Sequence, residues 1–288
     1  MLKQRIITAL ILAPAAILAI FYLPLAYFSG LLLAIMAIGA WEWGPLMGFA
    51  NKRRRLLFVF TNIIIIAFLW QYLGLQALWD EPHILNDTVL SLLWLSVAWW
   101  LLSALLTFAY PRYSKFWSSH RSVRGIFGWF TLVPTWLAFM VIRSNEYSID
   151  PYHGAQLLMA LFVMVWSADV GAYFVGKSIG KHKLMPNVSP GKTLEGFLGG
   201  VVFACILAMV AGYFLGWDKN QLLLVLAVTA IITTISVLGD LNESMFKRQA
   251  GVKDSGTILP GHGGILDRID SLTATAPVFA LCYALIGW

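Results

Sequence analysis

The chain has 288 residues, of which 59% are hydrophobic and only 12% charged, with a formal net charge of +6. A soluble globular domain carries about 25% charged residues, so this composition excludes a water-soluble fold and leaves no room for a separate soluble domain. The mean hydropathy of +0.76 and the pI near 9.3 point to membrane spans joined by basic loops that face anionic headgroups and anionic substrates, and not to nucleic acid.

The first 23 residues run basic, then apolar, then small, like a signal peptide. A second apolar run follows at once, so this segment reads as the first span. Nine runs are long enough to cross a bilayer, at roughly 6–23, 26–46, 56–74, 88–110, 126–142, 155–176, 194–216, 221–243 and 270–287. The expected fold is an all-α polytopic integral membrane protein of about nine transmembrane helices. Residues 1–150 hold about five of them. Residues 151–288 form a C-terminal catalytic region with loops at 177–193 and 244–269. With the N-terminus in the cytoplasm, eighteen of the twenty lysines and arginines fall inside, and only Arg143 and Lys219 fall outside. One error in the span count would invert every later loop, so the asymmetry supports both the count and the orientation. Both loops then face the cytoplasm. Trp41, Trp43, Trp217 and Trp288 fall near span ends, where indoles favour the interface, although lipid-facing positions would suit them equally. Cys205 and Cys282 lie inside apolar runs and read as packing residues, with no disulfide or zinc framework. No internal repeat of transporter type is present.

Polar groups within this apolar frame carry the chemistry. Asp169 lies inside VMVWSADVGAYFVG. A carboxylate there costs roughly 2.5–3.5 kcal/mol and needs a partner, a cation or water. Residues 171–178, GAYFVGKS, match the P-loop pattern, but they follow a membrane span where a P-loop needs a buried strand, and Tyr173 and Phe174 fill the loop. Lys177 reads instead as a group that can meet phosphate at the membrane surface. Ser189-Pro190-Gly191-Lys192-Thr193 leads into Leu194-Glu195-Gly196, placing hydroxyls and a lysine at a helix start that favours anions. Thr193 as an ordinary N-cap is the plain alternative. Gly196 and Gly200 form a GxxxG face that suits close helix packing.

Asp240 ends the run ITTISVLGD, and positions 240, 243 and 247 share one helix face. An intrahelical ion pair is the plain reading of that trio. The stretch Ser244–Asp270 then holds four cations, three carboxylates, a histidine and five glycines between two apolar runs. Asp267 and Asp270 stand three apart at a helix start. One could be a cap, but together with Asp240 they form an oxygen-rich cluster suited to a hard cation such as Mg²⁺. His262 has no second histidine at ligand spacing, which argues against zinc. Gly263 and Gly264 can bring backbone N–H groups up to an anion, or simply make a turn.

Together these residues resemble the phosphatidate cytidylyltransferase (CDP-diacylglycerol synthase) family. The signature elements stand in order as Ser244, Lys247-Arg248, Lys253-Asp254, His262-Gly263-Gly264 and Asp267-Arg268-Ile269-Asp270. Asp169–Gly180 and SPGKTLEG resemble the family's second region, with Gly191 where many members have lysine. The first 150 residues match only as apolar spans. The resemblance implies transfer of the cytidylyl group of CTP to phosphatidate from the inner leaflet, at an active site facing the cytoplasm in the inner (plasma) membrane. By the same resemblance, Asp240, Asp267 and Asp270 would hold Mg²⁺ with a neighbouring K⁺, and Lys247, Arg248 and Arg268 would neutralise phosphates. Asp169, Lys177, Ser189, Lys192, Thr193, Ser244, Lys253, His262, Gly263 and Gly264 would line the nucleotide or lipid-phosphate pocket. A homodimer is implied as well. The alternatives are a CTP-dependent polyprenol or phytol kinase, which would release CDP, and a transporter, which Asp169 favours and the one-sided charge opposes.

Overall fold

The computed structural model describes residues 2–75 and 86–286. Trp288 and the end of the last expected span lie outside the described residues. The elements are α1 (Leu2–Tyr22), α2 (Leu25–Leu46), α3 (Lys52–Tyr72), α4 (Asp87–Ala109), α5 (Ser114–Ser118), α6 (Arg121–Ser144) and α7 (His153–Ile179). They continue with β1 (Lys183–Met185), β2 (Ser189–Thr193), α8 (Leu194–Leu215), α9 (Lys219–Ala250) and α10 (Leu266–Ile286). Among the described residues, eight helices are long and apolar enough to cross a membrane, and α1 adds a shorter apolar stretch, Ile7–Tyr22. The chain is a multi-pass helical membrane protein, and each expected span has its helix.

The boundaries differ where polar residues stay helical. Hydropathy ends the eighth span at 243, yet α9 runs on to Ala250, where Gly251 closes it with φ +71°. Asn242, Glu243, Ser244 and Lys247 are all buried, so this polar turn is held by tertiary partners. Likewise α10 begins at Leu266 instead of 270. The second polar loop is therefore 251–265, and Ser244, Lys247, Arg248, Asp267 and Asp270 are helix residues. The first polar loop folds as an antiparallel hairpin, with Lys183 opposite Thr193 and Met185 opposite Ser189.

Helices α6 and α10 are the most enclosed, whereas α3 and α8 expose most of their surface. The GxxxG face does pack closely: a Cβ at Gly200 would stand 2.5 Å from the Ala168 carbonyl of α7. Residues 171–179 continue α7 as helix, so GAYFVGKS makes no phosphate loop. Thr193 caps α8, accepting the Gly196 amide at 3.1 Å. Trp43 is 1% exposed, so it packs in the protein core and does not face lipid. Its indole donates to the Arg124 carbonyl at 2.8 Å and packs on Phe246 with ring centroids 5.0 Å apart.

The basic segments meet at one end of the bundle. Arg55 Nη2 reaches the Trp41 carbonyl at 2.9 Å, Gln249 reaches Ser118 at 3.2 Å, and Arg248 Nε reaches the Val188 carbonyl at 3.1 Å. Arg143 occupies the other end, buried and donating to the carbonyls of Ile20 at 2.6 Å and Pro151 at 3.1 Å.

Candidate active site

At the basic end, α7, the hairpin, the start of α8 and the last turns of α9 enclose a cleft of about 360 Å³. Small-molecule sites occupy roughly 300–1,000 Å³. Its walls carry Asp169, Tyr173, Lys177, Lys192, Thr193 and Asp240. Small residues let these groups converge, since a Cβ at Gly176 would stand 3.4 Å from the Gly196 Cα. Lys192 Nζ lies 2.6 Å from Asp240 Oδ2 and ties the hairpin to α9. Ser244 donates to Asp240 Oδ1 at 3.2 Å from the next turn. Asp169 interacts electrostatically with Lys192, Asp240 and Arg268, which answers the need for partners that its position in a span creates. A second crevice of 160 Å³ between α3, α4 and α6, bordered by residues such as Leu69, Trp129 and Leu137, has no charged residue in its lining.

Beside the cleft, Lys247 joins α9 to α10. Its Nζ lies 2.7 Å from Asp267 Oδ1 and 3.3 Å from Glu243 Oε2. The plain reading of an intrahelical pair therefore holds for Glu243–Lys247, while Asp240 turns to Lys192 instead. Asp267 is heavily engaged. Its Oδ2 accepts the Gly264 amide at 2.7 Å and the Ser255 amide and hydroxyl at 2.9 Å each. The glycines earn their place here: Gly263 has φ +83°, and a Cβ on it would fall 2.7 Å from Asp267 Oδ2. The backbone amides of this loop are aimed at a protein carboxylate.

Glu243 is 3% exposed, and its carboxylate faces the Lys247 ammonium, 3.3 Å from Oε2, and the Asp270 carboxyl group. It interacts directly with Asp270, which in turn feels Asp240. Three acidic groups thus lie near one another, with Lys192 on Asp240 and Lys247 on Glu243 as compensating cations. Among the described residues, no three His, Cys, Asp or Glu side chains converge as a ready metal site; Asp240 and Asp267 are paired with Lys192 and Lys247 instead.

The other expected residues are placed as follows. Arg268 is exposed on the first turn of α10. Arg248 uses its Nε to hold the hairpin. Lys177 contacts the Tyr173 hydroxyl at 3.4 Å. Lys253 is exposed on the 251–265 loop. Ser189 lies at the start of β2, outside the cleft lining. The His262 amide donates to the Leu259 carbonyl at 2.9 Å, and its ring Nδ1 is buried without a hydrogen bond.

Sequence reasoning missed Glu42 and Ser255. Glu42 sits on α2, 1% exposed, and accepts the amides of Ile265 at 3.2 Å and Leu266 at 2.8 Å. The criterion that singled out Asp169, a carboxylate within an apolar run, applies equally to Glu42.

The model of the cytidylyltransferase family matches residues 3–286. The chain is 43% identical over 289 aligned positions to a phosphatidate cytidylyltransferase of Haemophilus influenzae, covering 98% of this chain and 99% of that protein. It is 40% identical over 288 to one of Pseudomonas aeruginosa, covering 100% and 99%. It is 50% identical over 125 residues to one of Staphylococcus aureus, covering 43% and 48%.

Proposed function

The chain belongs to the cytidylyltransferase family, and on that premise we infer that it transfers the cytidylyl group of CTP to phosphatidate, giving CDP-diacylglycerol and pyrophosphate. The observation that carries this reading is the 43% and 40% identity, over nearly the whole length of both chains, to phosphatidate cytidylyltransferases. The cleft supplies what the reaction asks for. The phosphatidate phosphate is already ionised at neutral pH, so no protein nucleophile is needed. One of its oxygens bonds to the α-phosphorus of CTP as the bond to the β-phosphate oxygen breaks, and pyrophosphate carries the charge away. Such a transfer is catalysed by positioning and charge neutralisation.

Lys192 and Lys177 receive phosphate oxygens from one side of the cleft, near the start of α8, whose positive end adds to the attraction. Lys247 and Arg268 neutralise charge from the other, and Arg248 holds the hairpin that carries Lys192. Asp169 adds negative charge that attracts Lys192 on the cleft wall and Arg268 beyond it.

Mg²⁺, with K⁺ beside it, belongs to the same proposal. The donor chemistry suits a hard cation, because the carboxylates of Asp240, Glu243 and Asp270 gather oxygen donors beside the cleft. Asp240 and Asp270 would hold it with Glu243 only after their side chains re-orient, since they do not converge on one point as placed. Asp267 can join them only by releasing Lys247 or the loop amides. When bound, Mg²⁺ offsets the charge of the triphosphate.

The site is assigned to the cytoplasmic face of the inner membrane, where CTP is found, and the basic segments gathered at that end support this. A homodimer is also proposed. The test is purified protein in detergent with labelled CTP, phosphatidate and Mg²⁺. CDP-diacylglycerol and pyrophosphate are expected. CDP with a phosphorylated lipid alcohol would establish a lipid kinase instead.

A further inference from the structure

We propose that Glu42 is a positioning residue for cytidylyl transfer, acting from the N-terminal half of the chain through the 255–266 segment on the charged groups of α9 and α10. The proposal rests on the reading of the cleft as the cytidylyltransferase centre.

Glu42 belongs to α2, more than two hundred residues away in sequence from the groups it holds. Its two oxygens divide the work. Oε1 accepts the Ile265 amide at 3.2 Å, and Oε2 accepts the Leu266 amide at 2.8 Å. These are orphan donors at the start of α10, which an acidic group stabilises both by hydrogen bonding and by charge. The loop is moulded around the carboxylate on two sides. A Cβ at Gly256 would fall 2.2 Å from Glu42 Oε1, and one at Gly264 would fall 2.6 Å from it. Only glycine lets the chain pass so close.

The same loop wraps a second carboxylate. Ser255 Oγ donates to Asp267 Oδ2 at 2.9 Å and stands 3.5 Å from Glu42 Oε2. Gly264 lies against Glu42 while its amide donates to Asp267. Asp267 in turn holds Lys247 at 2.7 Å. Glu42 therefore sets where α10 starts, and with it the positions of Asp267, Arg268 and Asp270 relative to Lys247. A bare structural anchor on a membrane helix would not need a charge. Helix-start amides can be capped by a residue near them in sequence, as the Gly264 amide is by Asp267 three positions on. Instead α2 carries a buried carboxylate, at a desolvation cost, to a point one hydroxyl away from the reacting cluster.

Glu42 does not line the cleft, so its loss leaves Lys177, Lys192 and Thr193 in place to bind nucleotide. The expected signature is a fall in kcat with the KM for CTP nearly unchanged. Misplacing reacting groups by about 1 Å is enough to cost on the order of 100-fold.

The experiment is steady-state CTP:phosphatidate cytidylyltransferase kinetics on Glu42→Gln and Glu42→Asp, purified in detergent, with rates normalised to the folded, monodisperse fraction. Glu42→Gln keeps the size but turns one acceptor into a donor facing an amide. Its kcat should fall roughly 10- to 100-fold with KM for CTP within about twofold. Glu42→Asp keeps the charge and should recover part of the loss. An unchanged kcat per folded molecule in Glu42→Gln overturns the proposal. Loss of folded protein in both variants also overturns it, in favour of a purely structural role. A wild-type protein that makes no CDP-diacylglycerol would defeat the reading of the site itself, which is a separate outcome.

Discussion

Lys192 Nζ and Asp240 Oδ2 stand 2.6 Å apart, so the hairpin that follows α7 is fastened across the cleft to the end of α9. This pair joins the two polar segments that lie nearly fifty residues apart in the chain. It also puts the cation of SPGKT directly against a carboxylate expected to hold metal. Substrate entry must share or replace this contact, because both side chains form the cleft wall.

Lys192→Ala should lower kcat/KM by roughly 10- to 100-fold, from loss of a charge-assisted contact to phosphate and release of the hairpin. Lys192→Arg should recover part of the loss. Steady-state rates against CTP concentration check this, and an unchanged KM and kcat in Lys192→Ala would remove Lys192 from the site.

Asp267→Asn and Asp270→Asn should both abolish turnover, but they should differ in stability. From sequence, both carboxylates stand at the wet end of a span, and folding should survive either change. The structure separates them. Asp267 is 7% exposed and binds Lys247, Ser255 and Gly264. Removing one partner of a buried pair costs about 3–5 kcal/mol. Thermal unfolding in detergent should show a clear loss for Asp267→Asn and little change for Asp270→Asn. Equal melting temperatures would count against the loop-anchoring role of Asp267.

Gly200→Ala should destabilise the protein by roughly 1–3 kcal/mol, because its Cβ would meet the Ala168 backbone carbonyl at 2.5 Å and backbone cannot rotate away. Gly30→Ala is the control, with nothing within 4 Å of the added carbon. Melting temperatures of the two variants against wild type decide the matter, and a stable Gly200→Ala would refute the close packing of α7 on α8.

Cysteines at positions 183 and 253 should be shielded from an impermeant thiol reagent in intact cells, and a cysteine at 219 should be labelled, with Cys205 and Cys282 replaced. Lys219 starts α9 and Lys247 lies near its end, so a spanning α9 places them on opposite sides. Labelling at 183 or 253 before permeabilisation would reverse the orientation.

Purified protein should not hydrolyse ATP, and excess ATP should compete weakly with CTP, since residues 171–179 are helix and aim no run of amides at a phosphate. Lys177→Ala should raise the KM for CTP. Steady ATP hydrolysis lost in Lys177→Ala would restore the P-loop reading.

The nine spans, the one-sided distribution of charge, the GxxxG contact and the Thr193 cap were all legible in the sequence. Each depends on residues a few positions apart, where hydropathy and helix period act directly. The signature residues from Asp240 to Asp270 were also legible as a group. Most of their partners were not. The i,i+4 spacing of Glu243 and Lys247 made an intrahelical pair readable, but nothing local says that Asp240 turns to Lys192 of the hairpin or that Lys247 also holds Asp267. Trp43 was misplaced for the same reason. Its position near a span end suggested an interface, and only its packing on Phe246 shows that it is core.

The sequence by itself determined a multi-pass helical membrane protein and its chemical class, because burial of apolar runs in lipid and the order of charged residues along the chain are one-dimensional properties. The tertiary structure alone decided that Lys192 meets Asp240 and Lys247 meets Asp267, where α9 ends and α10 begins, and that Glu42 of α2 holds the start of α10 at 2.8 Å across 224 residues of chain. Those choices follow from long-range closure, in which buried polar groups take whichever partners the packed helices bring within reach.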